Sequence, residues 1–591
     1  MNIDAVPSVY FKLLPGFLRR PVIEPMDLIG MVGTAEWGPV NEPVYIDDPL
    51  SIRRIFGKYG SISDSEQLTL ARGCEIACSN GGSKIVAIRL TDGTESYASL
   101  NVEDENGTNT LKFKAKYPGT KGNRIYIKIE NDPSAPYSIR EDFTGDGSST
   151  EFTLSKWPKK DSDTPATESH VYVDGVEKTI KWDSDPSNDN EVGIYTSGSN
   201  IAKLKFFSAP SVGAKIVVKY FYKAKRLIVS VDDEKEYYTR LNNLDDFLNA
   251  FENSDYIEVE NLNSTSSPPN NLPANIDYTA LSGGSNGASI TTSEIATGLD
   301  MLLMTDADII VVPGFSGEDI AELLETHCIK AEDLEKERIA IYGSALGTDI
   351  TDLEALMYHI TSKYMVVVAP GISVANPYTG QIETLPASYT ACAMAGLIAS
   401  LPPHHSPTMK PVQYVVGLEK VNPVNWQYTR QELNRLINDR ISPIGQLNYT
   451  RAFGMVYATS PIVCIRGITA STDSAWQEIS TVRTVLFMMK GVRSLAKQFL
   501  GLPNTVETRT ALKTTVESFL RHMYRRGMLV PITEEDLRQM GLENTIPPMP
   551  DGFYVEVYST REMQRLGEVR LKIWLAPTLP IIFIEIPVQL V

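Results

Sequence analysis

Six histidines and five cysteines in 591 residues leave little material for metal or redox chemistry. The cysteine count is odd and follows no regular spacing, so no disulfide framework is expected and a reducing compartment fits. Cys74 and Cys78 in "ARGCEIACSN" share a predicted helix face, but no second ligand pair follows, so they read as small packing residues. His404 and His405 lie side by side in "HHSPT" without an H-x-x-x-H spacing or an acidic set nearby. His327 and Cys328 are neighbours on a predicted helix and point in different directions. "LSGGSNG", Leu281 to Gly287, lacks the lysine and the spacing of a phosphate loop. No catalytic, cofactor-binding or metal-binding residues are therefore assigned, and no cofactor is expected.

Long apolar runs are missing as well. The tail is broken by Pro577, Pro580, Glu585 and Pro587 and is too short for a membrane helix, so no membrane insertion is expected. The opening "MNIDAVPSVYFKLLPG" carries Asp4 and two prolines and has no signal-peptide core. These features place the protein in the cytoplasm unless a larger assembly carries it out. Positive charge is also scarce: 55 Lys plus Arg face 73 Asp plus Glu, a net charge of −18. A nucleic-acid binder or a protein adhering to an anionic membrane should carry a basic footprint, so direct contact with nucleic acid is not expected.

What is present reads as several domains, because one core does not extend over so long a chain. Residues 1–27 form an N-terminal arm, and 28–96 hold strands and two helices closed by Gly57 and Gly81. Residues 97–136 and 226–275 are β-rich, with period-2 patterning in "LKFKAKYPGTKGNRIYIKIEND" and "RLIVSVDDEKEYY". Between them, 137–225 reads as an inserted β-sandwich of short alternating strands. Residues 276–460 alternate β-branched runs and helices, an α/β layer with a parallel sheet. Residues 461–575 carry two long helices and a strand set. The first helix is expected to open on a Ser474/Gln477 capping box and close at Gly501. The second is expected to open on Asn504 and Glu507 and stop at Gly527. The chain ends, over 576–591, in a strand whose alternate positions Ile582, Ile584, Ile586, Val588 and Leu590 are aliphatic. The fold class is thus multidomain α+β and α/β: an α/β core, a C-terminal helix-plus-sheet domain, a β-rich domain, an inserted sandwich and extended terminal arms.

Two local features bear on function. Ser316 in "VVPGFSGEDI" follows a strand and opens a helix, but the motif is not a G-x-S-x-G elbow, and a capping role is the simpler reading. A serine-dependent hydrolase using the α/β domain is the alternative function, and it requires Ser316 to pair with a histidine. A surface adhesin presenting 137–225 would need the missing signal peptide. The second feature is electrostatic. Residues 461–530 carry ten Lys plus Arg against four Asp plus Glu, so this segment is +6 while the rest of the chain is −24. Arg483, Lys490 and Lys497 recur every seven residues as one ridge, with Arg493 alongside. The ridge is either a solvated face or a docking face for an acidic partner.

The sequence resembles the tail sheath proteins of contractile-tailed bacteriophages. The likeness lies in "IGMVGTAEWGPVNEPVYIDD…SIRRIFGKYG", "YTALSGGSNG", "AGLIAS…KPV", the segment from "IRGITASTDSAWQEIS" to "RHMYRRGML", and "VRLKIWLAPTLPIIFIEIPVQL". These cover roughly 28–96, 278–420 and 455–591, in order. "FLGLPN" stands where many members have F-x-x-E-P-N, and 137–225 has no counterpart in minimal sheaths. The resemblance implies a structural subunit, not an enzyme, that stacks as hexameric rings around an inner tail tube and contracts to drive the tube through a host envelope. Implied partners are other copies of the chain, the inner tail tube protein, and baseplate and tail terminator proteins. The implied location is the virion tail, assembled in the host cytoplasm. Terminal arms would donate strands to neighbouring subunits through Val9, Tyr10, Phe11, Ile582, Ile584, Ile586, Val588 and Leu590. Arg483, Lys490, Arg493 and Lys497 would face the inner tube.

Overall fold

The computed structural model describes residues 26–63, 68–160, 168–198, 202–252, 254–419, 428–446, 461–542 and 544–582. Its centre is an eight-stranded sheet. The spatial order is Pro43–Ile46, Lys84–Arg89, Leu28–Gly33, Ile309–Val311, Ile339–Gly343, Met365–Ala369, Ser442–Gln446 and Ile462–Cys464. The six inner strands are parallel and the two edge strands antiparallel. Ile309–Val311, Ile339–Gly343 and Met365–Ala369 are buried at every position, which is why they are continuous apolar runs and not alternating ones. Strands from 28–89 and from 309–464 share this sheet. Ile462–Cys464 closes it, so the boundary expected at 461 falls one strand too early.

Helices cover both faces. On one, Cys74 of Leu70–Ser79 sits 3.7 Å (Sγ to Sδ) from Met31, and Ala387–Ser400 packs alongside, buried from Ala387 to Ile398. On the other, Gly298 of Thr292–Leu302 lies against Val32 and Leu90, next to Glu318–Asp333. Met31 and Val32 alternate faces, as a pleated strand requires.

The β-rich region forms a second core between two small sheets. Glu234–Leu241, Lys225–Val231, Ile125–Asn131 and Ile276–Ala280 make one; Ile257–Asn261, Asn109–Ala115 and Ser99–Glu103 make the other. Trp37 reaches in from the first segment and is buried edge-on to Tyr117. Behind it, the buried Glu36 carboxylate takes two hydrogen bonds from Arg124, at 2.7 and 3.0 Å, which pins this region to the central sheet.

The inserted region has seven strands and a core of its own. Val176–Trp182 is shared between two layers: its first half pairs with His170–Val173 and its second with Glu191–Ile194. Phe143 and Phe152, from the first and last strands in the spatial order, lie 5.6 Å apart, so the sheet folds over on itself. The insertion begins and ends at one place. Ile125–Asn131 and Lys225–Val231 are hydrogen-bonded neighbours, and Tyr137 is opposite Tyr222.

In the C-terminal unit the long helix is Ile479–Ala496, and the next is Val506–Arg525. The expected start at Ser474 is a separate 3-10 turn, capped by Asp473. Thr505, and not Asn504, caps the second helix, by accepting from the Thr508 amide. Asn504 is drawn away because its amide donates to Ser559 Oγ and the Glu568 carbonyl. Phe553–Tyr558 and Arg570–Leu575 form an antiparallel pair against the second helix.

Candidate functional site

The basic ridge is not an open surface. Ile479–Ala496 runs along the N-terminal edge of the central sheet, and its cations meet acids and carbonyls that precede the strands. Arg483 is 2% exposed. Its guanidinium donates to the carbonyls of Leu401 and Met26 at 3.2 and 3.1 Å. Burial pulls it down to about 10, with Asp308 and Asp27 offsetting part of that loss. Arg483 therefore has no surface to offer an inner tube, which corrects the ridge as read from the sequence.

One helical repeat along, Lys490 pairs with Asp308, whose second oxygen accepts from the Leu28 amide. Burial pushes the Asp308 carboxyl up against the pull of Lys490. Arg493 forms a two-pronged bond to Glu337 at 2.6 and 2.8 Å. Burial raises the Glu337 carboxyl, but the Arg493 hydrogen bonds, a backbone hydrogen bond and the charges of Arg493 and Lys490 together hold it below the usual range. Lys497 is the exposed member, 3.8 Å from Glu335. Removing one partner of the buried pairs leaves an uncompensated charge, about 3–5 kcal/mol. The Lys497 pair is worth about 1 kcal/mol at most.

Of the strand-donation residues, Val9, Tyr10, Phe11, Ile584, Ile586, Val588 and Leu590 lie outside the described residues. Ile582 is described and is in no strand, and its neighbour Ile581 is 82% exposed. The C-terminal strand set adds a further feature. Phe553–Tyr558 and Arg570–Leu575 have only each other as ladder partners among the described strands, so both outer edges are open. Phe553 and Val555 face the core, while Tyr554, Tyr558 and Trp574 with the Lys572 ammonium over its ring cover the other face. A two-stranded sheet with both edges unpaired is a template for added strands.

The hydrolase alternative finds no support. Ser316 forms no hydrogen bond to a histidine among the described residues, and Gly317 rather than Ser316 caps the following helix, without a side-chain bond. An open cavity of about 270 Å³ at the end of Ile339–Gly343 is lined by Tyr342, Ser344, Asp352 and His359. There His359 lies 3.6 Å from Glu318, and the Tyr342 hydroxyl accepts from the Gly317 amide. His327 is buried and neutral, pulled down to about 3 by burial and by Arg338. All five cysteines are free thiols, and burial pushes the Cys328 and Cys464 thiols up to about 12, away from reactivity. Among the described residues no group of three or more His, Cys, Asp or Glu is placed to hold a metal, and no helix is long and apolar enough to cross a membrane.

No family model matches the chain, and no curated protein matches it. Solved structures do. The sheath tail protein of Desulfitobacterium hafniense superposes with a TM-score of 0.57 at 12% identity, covering 96% of this chain and 96% of that one. The sheath tail protein of Listeria innocua gives 0.53 at 11% identity, covering 94% of this chain and 92% of that one. This chain has the fold of those sheath tail proteins along nearly its whole length.

Proposed function

We propose that the chain is the structural subunit of a contractile tail sheath and has no catalytic role. The observation that carries this reading is the fold shared with two sheath tail proteins over more than nine-tenths of all three chains. In this reading subunits stack as hexameric rings around an inner tail tube, between a baseplate and a tail terminator. On a trigger the array shortens and drives the tube through an envelope. Contraction then draws on energy stored in a metastable packing, and no nucleotide is consumed.

The open pair Phe553–Tyr558 and Arg570–Leu575 supports strand exchange between subunits. Arms from neighbouring copies, the part of 1–27 ahead of Met26 and the part of 576–591 beyond Thr578, add to its two edges, main chain to main chain, and the alternating aliphatics of the tail select the face. Such a joint keeps its partners while subunits swing. Contact with the tube then rests on surfaces other than Arg483.

Negative-stain microscopy of the purified full-length protein tests the reading: tubes with a regular ring repeat are expected, and persistent monomers contradict it. Deleting Ile581–Val591 should leave a folded subunit that no longer forms tubes. Long tubes from the truncated protein would refute strand donation but leave the sheath reading standing.

A further inference from the structure

Three consecutive residues at the start of the first central strand are each gripped by a charged side chain from a different part of the fold. Arg483 Nη2 donates to the Met26 carbonyl at 3.1 Å. Lys84 Nζ pairs with the Asp27 carboxylate at 3.3 Å. The Leu28 amide donates to Asp308 Oδ2 at 3.3 Å, and the Asp308 amide donates back to the Leu28 carbonyl at 2.8 Å. Twenty-five residues precede Met26 in the sequence. The triple grip therefore sits at the root of the N-terminal arm, where it enters the sheet between Lys84–Arg89 and Ile309–Val311.

The grip uses side chains that are costly to bury. Arg483 has no carboxylate bonded to it, and its Nε has no partner among the described residues. An apolar side chain would fill the slot without desolvating a charge. It would bond no carbonyl, whereas the guanidinium ties together two that are far apart in sequence: Leu401, which ends the helix Ala387–Ser400, and Met26. Asp308 is buried too, and Lys490 compensates it. Arg483 and Lys490 are seven residues apart, so one face of one helix carries both hooks.

We propose that Arg483, Lys490 and Asp308 form an anchor that fixes where and in which direction the N-terminal arm leaves the core. A neighbouring subunit holding that arm then moves the whole core and does not peel Leu28–Gly33 from the sheet. The role of the arm rests on the sheath reading above; the anchor itself rests on contacts within one chain. All three are positioning residues.

Hydrogen exchange with peptide-level readout tests the anchor in full-length Arg483→Met and Lys490→Met, with Lys497→Met on the same helix as control. In the first two, exchange in peptides covering 26–30 should rise at least tenfold more than in those covering 339–343 and 365–369, which report the stability of the whole sheet. Lys497→Met should change neither. Unchanged exchange at 26–30 in both variants overturns the anchor. So does an equal rise across the whole sheet, which would mean ordinary core packing. If Arg483→Met does not fold, Lys490→Met decides by the same criteria. Tube formation by both variants should need at least threefold more protein, and wild-type assembly despite loosened 26–30 overturns the transmission role. If wild type forms no tubes, the sheath reading fails while the exchange result still decides the anchor.

Discussion

His327 shows what a single buried side chain contributes at the scale of the residue. It lies 2% exposed on Glu318–Asp333, and neither ring nitrogen has a hydrogen-bond partner among the described residues. Burial, with Arg338 nearby, pulls it down to about 3, against about 6.5 in an unfolded chain. The folded state thus refuses a proton that the unfolded state accepts. Stability is unaffected above pH 6.5 and falls as the pH drops from there toward 3, by up to about 1.4 kcal/mol per pH unit. His327→Leu, which keeps the side chain apolar, should flatten the acid limb of a urea-denaturation series between pH 6.5 and 4. At pH 7.5 it should change stability by less than about 1.5 kcal/mol. An unchanged acid limb would mean that His327 takes up a proton in the fold. The basic ridge teaches a related lesson. The spacing of Arg483, Lys490 and Lys497 gives a shared helix face, but not whether that face is wet. Their acidic neighbours Asp308, Glu335 and Glu337 lie more than 150 residues upstream, just before strands. Nothing local in the sequence marks them as partners.

At the scale of the element, the parallel strands were legible because strands buried on both faces must be β-branched runs. The helix Ala387–Ser400 is rich in small residues, which suit close packing. The structure shows what that closeness demands. A Cβ on Gly396 would come 2.1 Å from the Ala77 carbonyl oxygen of the facing helix Leu70–Ser79. Gly396→Ala gains about 1 kcal/mol in helix propensity. It should still lose about 1–3 kcal/mol net, because the two helices have to separate. The midpoint of urea unfolding should fall with the slope unchanged, and a rise in midpoint would show that the helix pair has room. Helix starts were less legible. Ser474 and Asn504 satisfy the capping pattern locally, but neither caps a helix: Asp473 caps the turn at Ser474, and Asn504 ties the helix start to the far end of the C-terminal hairpin. Tertiary partners decide such cases, and they are invisible to a window of a few residues.

For the whole molecule, the sequence carried the order of the regions but not their joinery. A change in texture marked the inserted region, yet no periodicity could say that Leu28–Gly33 lies between strands from residues 84 and 309. The joinery gives the last prediction. The Asp132 amide donates to the Ala224 carbonyl at 2.9 Å, and Asn131 is in register with Lys225. Ninety-odd residues thus occupy the place of a hairpin turn between two neighbouring strands. Replacing 133–223 with a two-residue Asn-Gly turn should close the ladder directly, because that turn matches the twist of an antiparallel pair. The loss is local. Trp157 gives up its hydrogen bond to Asn242, and Lys156 its pair with Asp246. The core around Trp37, Phe113 and Phe247 belongs to residues that remain. The shortened protein should unfold cooperatively, with a midpoint within a few degrees of the parent. If the sheath reading holds and the insertion projects away from the lattice, it should also form tubes of the same ring repeat but smaller outer diameter. A shortened protein that folds yet stays monomeric, while the parent polymerises, would place the inserted region among the contacts between subunits.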